Sequence, residues 1–319
     1  MRGRFSYIFG PIPSRRLGMS LGVDIIPHKI CIYDCVFCEV GRTKRQTAMR
    51  REYVRKDDVI KELEAFFSCY DGKIDHITIT GEGETTLNSR LGEIISEVKD
   101  RFRYPVAVLT HSGNIYDEGV RNGLLLADVV CPSLDAVTQE TFEKVNRPIN
   151  SVRIEKIIEG LVRFREEFKN KILLEVLLVK GINDSEEELR KIGETCCLIK
   201  PDIVQISTVD RPGAYPDALP LSSEELRKAK MIISSYYANV EVLSRHYVNP
   251  EPLKKDIIGL REDIVEILRR RPLTVLDVVI AEGIDFFKAK QILSDLEREG
   301  VVEEVQINGT KFFKLAIRR

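Results

Sequence analysis

From residue 20 to residue 244, short apolar runs rich in β-branched residues alternate with longer amphipathic stretches. The apolar runs predict strands at 20–26, 74–80, 105–110, 128–134, 172–179 and 202–208, with a last apolar stretch at 240–244. The stretches between them predict helices at 57–69, 89–103, 116–124, 138–145, 152–168, 185–198 and 222–236. Strand and helix in regular alternation are the signature of repeated βα units around a parallel sheet. A closed eight-fold barrel usually takes ~250 residues. Six units in residues 15–245 predict an α/β fold of a different size, a partial (β/α)6 TIM-type barrel, whose open side suits a bulky substrate.

The pattern changes after residue 245. Pro250 and Pro252 block a helix, so 246–260 is read as a linker. Residues 261–270, 274–282 and 286–298 then predict three short helices. Two strands joined by Asn308-Gly309 follow, the strongest short hairpin signal. Three helices and a hairpin predict a small winged helix-turn-helix domain at 261–319, beside the barrel domain at 1–245. Such a domain takes RNA or a peptide as its partner, or serves only as structure. Lys288, Lys290 and Gln291 are placed outward on its third helix. Residues 260–319 hold eleven basic and eleven acidic residues, a poor balance for neutralising phosphates. The run Arg269-Arg270-Arg271 favours nucleic acid, or equally a helix C-terminus that attracts cations.

Charge narrows the classes further. The net charge of −1 gives no whole-chain attraction to nucleic acid or to a membrane surface. No apolar run approaches the ~18 residues of a membrane span. The first residues lack a secretory signal. A cytoplasmic location is expected, where clustered thiols are metal ligands rather than disulfides. One local departure is the basic stretch 41–56, GRTKRQTAMRREYVRK. It reads as a solvated loop, or as a surface for an anionic substrate or an electron-donor protein.

The candidate chemistry gathers after the first strand, in CIYDCVFC at 31–38. Cys31, Cys35 and Cys38 are one ligand short of the four that close a zinc site or fill a 4Fe-4S cluster. A cluster held this way keeps one iron open. Cys69, Cys131, Cys196 and Cys197 lie among apolar residues and read as ordinary buried thiols. The other strands also end in polar groups: Gly81 to Thr86, then His111 and Ser112, Ser133 and Asp135, Lys180 to Asp184, and Asp210 to Gly213. Lys180, Asp210 and Arg211 are candidates for contacting substrate. Arg15 and Arg16 face a ligand carboxylate or form salt bridges at the barrel bottom. A rival reading joins His28 to the three cysteines as a metal site, zinc or iron–sulfur, in a winged-helix regulator without radical chemistry.

CIYDCVFC, with an aromatic before its last cysteine, resembles the cluster motif of radical S-adenosylmethionine (SAM) enzymes. GEGE followed by Thr85-Thr86-Leu87 resembles their Gly-Gly-Glu-Pro motif, with Glu82 for the first glycine and Thr85 for the proline. GPIPSRRLG, SLGVDIIP, SLDA and GIND extend the resemblance over residues 9–245, to the branch containing wyosine-type tRNA-modifying enzymes. The resemblance implies that Cys31, Cys35 and Cys38 hold a 4Fe-4S cluster whose fourth iron is chelated by SAM. It places Phe37 against the adenine and Glu84, with the backbone around Gly83, on the amino group. Thr86 belongs to the same motif. Ser133 and Asp135 go to the ribose or carboxylate, with help from His111 or Ser112. A ferredoxin- or flavodoxin-like donor would reduce the cluster, and the 5′-deoxyadenosyl radical would abstract a substrate hydrogen, an oxidoreductase- or transferase-type activity. The wyosine-type reaction uses a second cluster bound by cysteines N-terminal to the first motif. No cysteine precedes Cys31, which argues against that reaction. Removal of 257–319 is expected to leave SAM cleavage intact while impairing turnover of the native substrate.

Overall fold

Alternation at the first strand sets the pattern for the whole sheet. Leu21 and Val23 are fully buried, while Ser20 on the other edge of the period bonds Thr78 at 2.6 Å. The structure is a computed structural model describing residues 5–27, 29–243, 259–307 and 309–316. In chain order it begins with β1 (Ile8–Ser14), β2 (Gly18–Asp24), β3 (Ile30–Cys31), β4 (Arg45–Gln46) and α1 (Lys56–Phe67). Next come β5 (His76–Thr80), a 3-10 turn (Thr85–Leu87), α2 (Leu91–Phe102), β6 (Val106–Thr110), α3 (Glu118–Leu124) and β7 (Val129–Pro132). Then follow α4 (Gln139–Val145), α5 (Ile154–Glu167), β8 (Lys171–Leu178), α6 (Glu186–Ile199), β9 (Ile203–Thr208), α7 (Ser223–Ser234) and β10 (Val240–Val242).

Eight strands form one sheet in the order β1-β2-β5-β6-β7-β8-β9-β10. All neighbours are parallel except β1 and β2. The six predicted βα units are present, consistent with a partial TIM-type barrel. Two further strands flank these units at the edges of the sheet, β10 on one side and β1 on the other. Gly10, Pro11 and Pro13 obscured β1, but proline is tolerated on an edge strand or at a bulge. The β1–β2 register shifts between Phe9 and Ile12. A Cβ at Gly22 would lie 2.1 Å from the Phe9 ring, so the glycine leaves room for that ring to lie across the β1–β2 pair.

One face of the sheet packs on the helices through Ile77, Ile79, Val108, Leu174, Val176 and Ile206, all buried. The other face is mixed. Leu17, Ala107, Val129, Cys131 and Leu173 form a small apolar cluster there. Arg16 pairs with Glu175 of β8 at 2.9 Å. Arg15 pairs with Asp210 after β9, so both arginines are held by carboxylates of the barrel. Cys131 and Cys196 are buried as expected, but Cys69 and Cys197 are exposed. Each of the exposed pair sits near a helix C-terminus, where it bonds a backbone carbonyl instead of entering the core.

Beyond the barrel the described residues form α8 (Leu260–Arg270), α9 (Val275–Glu282), α10 (Phe286–Arg298), β11 (Val302–Ile307) and β12 (Thr310–Leu315). β11 and β12 pair antiparallel. Most of the expected linker 246–260, and Asn308 of the expected turn, lie outside the described residues. Ile264, Leu273, Val278 and Leu293 form the core of this unit, and Ile12 of β1 belongs to the same cluster. The unit therefore packs on the edge strand of the barrel.

The arginine run closes a helix, as one of the two readings expected, with Arg269 and Arg270 in the last turn of α8, and it reaches beyond that helix as well. Arg270 reaches Asp24 at 3.2 Å and the Ser6 carbonyl at 3.3 Å, and lies over the Phe9 ring. Arg271 sits beside Arg211 and Asp277, and burial first, then Arg211, lower its pKa to about 10. Only Arg269 remains largely in solvent, paired with Glu266 at 2.9 Å. Arg270 is spent on the barrel rather than offered to nucleic acid, while Arg271 has a buried Nε without a hydrogen-bond partner among the described residues. Asp277 of α9 meets Arg211 of the β9–α7 loop at 3.0 Å. The unit thus spans from β1 to the β9–α7 loop, and the side expected to stay open is bridged there. Among the described residues no helix is long and apolar enough to cross a membrane.

Candidate functional site

The site is organised by the two residues of β3. The backbone amide of Glu84 donates to the Ile30 carbonyl at 3.2 Å. The amides of Lys44 and Thr47 donate to the Lys29 and Cys31 carbonyls at 3.1 and 2.9 Å. Successive carbonyls of an extended strand point to opposite sides. The Gly81–Glu84 loop therefore flanks β3 on one side, and the basic strand β4 flanks it on the other.

Contact with the Gly81–Glu84 loop is close enough to dictate its sequence. A Cβ at Gly83 would lie 1.7 Å from the Ile30 oxygen. The Glu82 amide donates to the Ile26 carbonyl at 2.9 Å and to the Asp24 carboxylate at 3.3 Å. Asp24, Ile26 and Ile30 are thus zipped to Glu82 and Glu84 directly ahead of Cys31.

Each thiol has its own nitrogen partner. Cys31 Sγ lies 3.1 Å from His111 Nε2. Asn146 Nδ2 donates to Cys35 Sγ at 3.4 Å. Lys29 Nζ donates to Cys38 Sγ at 2.8 Å. Burial pushes Cys31 up, but His111 and then Lys29 outweigh it and hold the thiol below its ordinary value. Burial drives Cys35 well above the usual range, and charge on Cys31 and Cys38 adds to that. Ionised Cys31 and Cys38 therefore each disfavour the Cys35 thiolate. Burial lowers His111, yet Glu84 and Cys31 carry it up to about 9. Burial likewise lowers Lys29, and Cys38 and Cys31 more than reverse it. Two cations facing three gathered thiols suit an anionic, thiolate-bound iron–sulfur group. Among the described residues no three His, Cys, Asp or Glu side chains converge as ligands of one metal ion. His28 lies outside the described residues.

The Glu84 carboxylate has a different occupation from the one the sequence suggested. One oxygen accepts from Thr86 N at 3.0 Å and from the Thr86 and Thr110 hydroxyls. The other accepts from His111 N at 2.9 Å and lies 3.1 Å from His111 Nε2. A carboxylate has about four lone-pair sites. With 1% exposure, Glu84 has its sites filled by its own chain. It ties the end of β6 to the loop after β5. Thr86 is similarly enclosed between Glu84 and Asn114.

The remaining candidates fall into two groups. Ser112, at a φ of 67°, donates to the Ser133 carbonyl at 2.9 Å. Asp135 accepts from Asn146 at 2.7 Å and from Leu177 N at 3.0 Å, and burial raises its pKa to about 7. His111 stacks on Tyr33, ring centroids 3.8 Å apart. Tyr33, His111, Ser133, Asp135 and Asn146 together line a small void, and the buried Tyr33 hydroxyl has no hydrogen-bond partner among the described residues. Phe37 is half-buried, and the Gly213 backbone lies against it so closely that a Cβ there would be 3.0 Å away. These residues are brought together. By contrast, Lys180 pairs with Glu225 of α7 at 2.7 Å, Asp210 pairs with Arg15, and Arg211 is engaged by Asp277 and Glu39. Lys29, Tyr33 and Asn146 went unnoticed in the sequence. Lys29 and Tyr33 flank Cys31 and could have been suspected from that. Asn146 lies between α4 and α5, far from any motif.

Comparison with known proteins agrees with this geometry. The family description "Radical SAM superfamily" matches residues 25–192, which contain all three thiols, the Gly83 loop, His111 and Asp135. An UPF0026 protein of Methanocaldococcus jannaschii is 30% identical over 316 residues, 97% of this chain and 96% of that one. A protein named GTPase Obg, of Brachyspira hyodysenteriae, is 37% identical over 312 residues. That match covers 97% of this chain but only 45% of the relative's length. Among solved structures, a radical SAM methyltransferase from Sphaerobacter thermophilus superposes with a TM-score of 0.53 at 16% identity, over 70% of this chain and 66% of that one. That likeness bears on the fold, and the family match bears on the site. The chain belongs to the radical SAM superfamily, whose members bind a 4Fe-4S cluster and SAM.

Proposed function

We propose that this protein cleaves SAM reductively and uses the resulting radical on a substrate that gives up a hydrogen atom. The observation that carries the reading is that Cys31, Cys35 and Cys38 each have a separate nitrogen partner, beside a Gly83 loop with no room for a Cβ. When bound, the cluster and SAM supply one-electron cleavage of the S–C5′ bond and a 5′-deoxyadenosyl radical.

The chain's own residues do the rest. The three thiolates hold three irons. Lys29, His111 and Asn146 hydrogen-bond the sulfurs, and such bonds help set a cluster's potential. The backbone at Gly83 and Glu84 takes the amino group of SAM, while the Glu84 carboxylate keeps that backbone in place. Ser133 and Asp135 lie where the ribose or carboxylate binds, with Ser112 fixing Ser133. Phe37, packed on the Gly213 backbone, covers the adenine. A ferredoxin- or flavodoxin-like protein supplies the electron, and three free thiols suit the reducing cytoplasm. Three helices followed by a hairpin support reading 261–319 as a winged helix-turn-helix, through which an RNA or peptide substrate docks.

The test is anaerobic reconstitution with iron and sulfide, followed by dithionite and SAM. We expect the unaltered protein to form 5′-deoxyadenosine. Cys35→Ala should form none while keeping the unaltered far-ultraviolet spectrum. Substantial 5′-deoxyadenosine from Cys35→Ala would overturn the assignment, and a colourless zinc protein would replace it with the regulator reading.

A further inference from the structure

We propose that the outer wall of the cysteine loop docks an acidic one-electron carrier protein; the inference rests on the function proposed above. Residues 42–56 contain seven basic residues and one acidic one, in a chain whose net charge is −1. Arg42, Lys44, Arg45 and Arg147 are exposed. None of the four has a carboxylate partner among the described residues. Exposed cations on the helices, in contrast, are often neutralised in place, as Lys144 is by Glu140 and Arg190 by Glu186.

This charge is held rather than merely present. Arg42 and Arg147 lie 4.3 and 4.0 Å from the centroid of the Tyr215 ring. Two guanidiniums that close to one centroid occupy opposite faces. Tyr215 is itself fixed to the cysteine loop, donating its hydroxyl to Asp34 at 2.5 Å and its amide to the Val36 carbonyl at 3.1 Å. Asp34 also accepts from Thr43 N, so it is spent inside the loop. The ring therefore braces two like charges against the Cys31–Cys38 segment. A braced positive surface without local counter-ions attracts an acidic partner and steers its approach.

Position decides what kind of partner fits. β4 lies on the side of β3 opposite the Gly83–Glu84 loop, because the Ile30 carbonyl faces that loop while the Lys29 and Cys31 carbonyls face residues 44–47. A substrate must approach the SAM side, near Gly83, Ser133 and Asp135. An electron needs only to come close to the sulfurs. Adjacent strands are about 4.8 Å apart, and the exposed strand β4 is one such spacing from the Cys31 backbone. The Thr47 N–H bond to the Cys31 carbonyl at 2.9 Å links the two directly. In the docked complex the reduced carrier, a flavin or iron–sulfur protein, loses one electron and the cluster gains it. That step forms no bond, breaks none and moves no proton.

The probe is a fluorescently labelled acidic flavodoxin, titrated against the iron-loaded protein at several salt concentrations. For the unaltered protein we expect binding that weakens as salt rises. Arg42→Glu/Lys44→Glu/Arg45→Glu should bind at least about tenfold more weakly and lose most of the salt dependence. Lys288→Glu/Lys290→Glu, a charge reversal on α10, should bind normally. Reduced flavodoxin should drive SAM cleavage more slowly in the triple variant, while dithionite drives it at the unaltered rate. Lys44→Gln/Arg45→Gln, a milder change, should show the same pattern in reduced degree. Equal flavodoxin affinity in the unaltered and triple variants would overturn the inference. So would a triple variant that loses binding of an oligouridine RNA while keeping flavodoxin. Dithionite needs no docking, so its failure to drive cleavage in the unaltered protein overturns the proposed function, whereas the titration decides the docking surface.

Discussion

Arg211 and Asp277 meet at 3.0 Å across the boundary between the β9–α7 loop and α9, with side chains only 11% and 15% exposed. The carboxylate also accepts from Thr274 N within the capping box that starts α9. Arg211 in turn lies 3.4 Å from Glu39, the residue after Cys38. One buried pair therefore starts a helix, seats the C-terminal unit and touches the end of the cysteine loop. Asp277→Ala should leave Arg211 and Arg271 buried together without that carboxylate. Breaking a buried pair from one side costs about 3–5 kcal/mol. Urea unfolding should show a loss of that order, and an unchanged midpoint would refute the pairing's importance.

The same pair makes stability depend on pH in a definite direction. Burial pushes Asp277 up, but Arg211 overrides it and holds the pKa at about 2, against an ordinary 3.8. A depressed carboxylate contributes stability that is fully present above its unfolded value and is lost as pH falls through its folded value. The stability difference between the unaltered protein and Asp277→Asn should therefore shrink by about 2 kcal/mol between pH 4 and pH 2. Asp24 behaves oppositely. Burial raises it to about 7 despite Arg270, so it withdraws stability as pH rises from about 4 to 7. Urea unfolding of Asp277→Asn and Asp24→Asn across this range should give slopes of opposite sign.

These two pairs also mark what a sequence can and cannot reveal. Periodicity found the six βα units because Leu21, Ile77, Val108, Leu174 and Ile206 must all face the helices. The thiols were legible because three ligands within eight residues have few other uses. Gly83 was noticed as a glycine, but its reason, the Ile30 carbonyl, comes from a strand far earlier in the chain. Asn146 was invisible because a single amide carries no pattern until folding sets it beside Cys35. The partners of Arg270 and Arg271 were hidden for a related reason. The run shows its place at a helix C-terminus, but not that Asp24 and Asp277 come beside it from other parts of the chain.

Removal of residues 257–319 now has a different expected outcome from the one the sequence suggested. The barrel would lose the cover over Ile12 and Phe9, and Asp24 would lose Arg270. Asp24 accepts from both Ile26 N and Glu82 N, so it holds the entrance to the cysteine loop against the Gly83 loop. We expect the truncated chain to retain less iron after reconstitution and to cleave SAM poorly even with dithionite. Iron content and SAM cleavage equal to those of the full chain would show that the unit serves substrate docking alone.

The sharpest single test of the site is Gly83→Ala. The added methyl would sit 1.7 Å from the Ile30 oxygen and 2.6 Å from its carbon. Both neighbours are backbone, so no rotamer change relieves the overlap and the two loops must part. Parting them breaks the Glu84 N–Ile30 O bond at 3.2 Å and displaces β3, which carries Cys31. Overpacking together with one lost buried hydrogen bond should cost about 3 kcal/mol. Gly119→Ala is the matched control: its methyl meets only the ends of the Arg50 and Asp117 side chains. In the α3 helix that change should be neutral or stabilise by up to about 1 kcal/mol. Thermal unfolding, iron per chain after reconstitution and SAM binding by equilibrium dialysis should all fall in Gly83→Ala and hold in Gly119→Ala. Full iron and full SAM affinity in Gly83→Ala would mean that the approach of the two loops does not build the site.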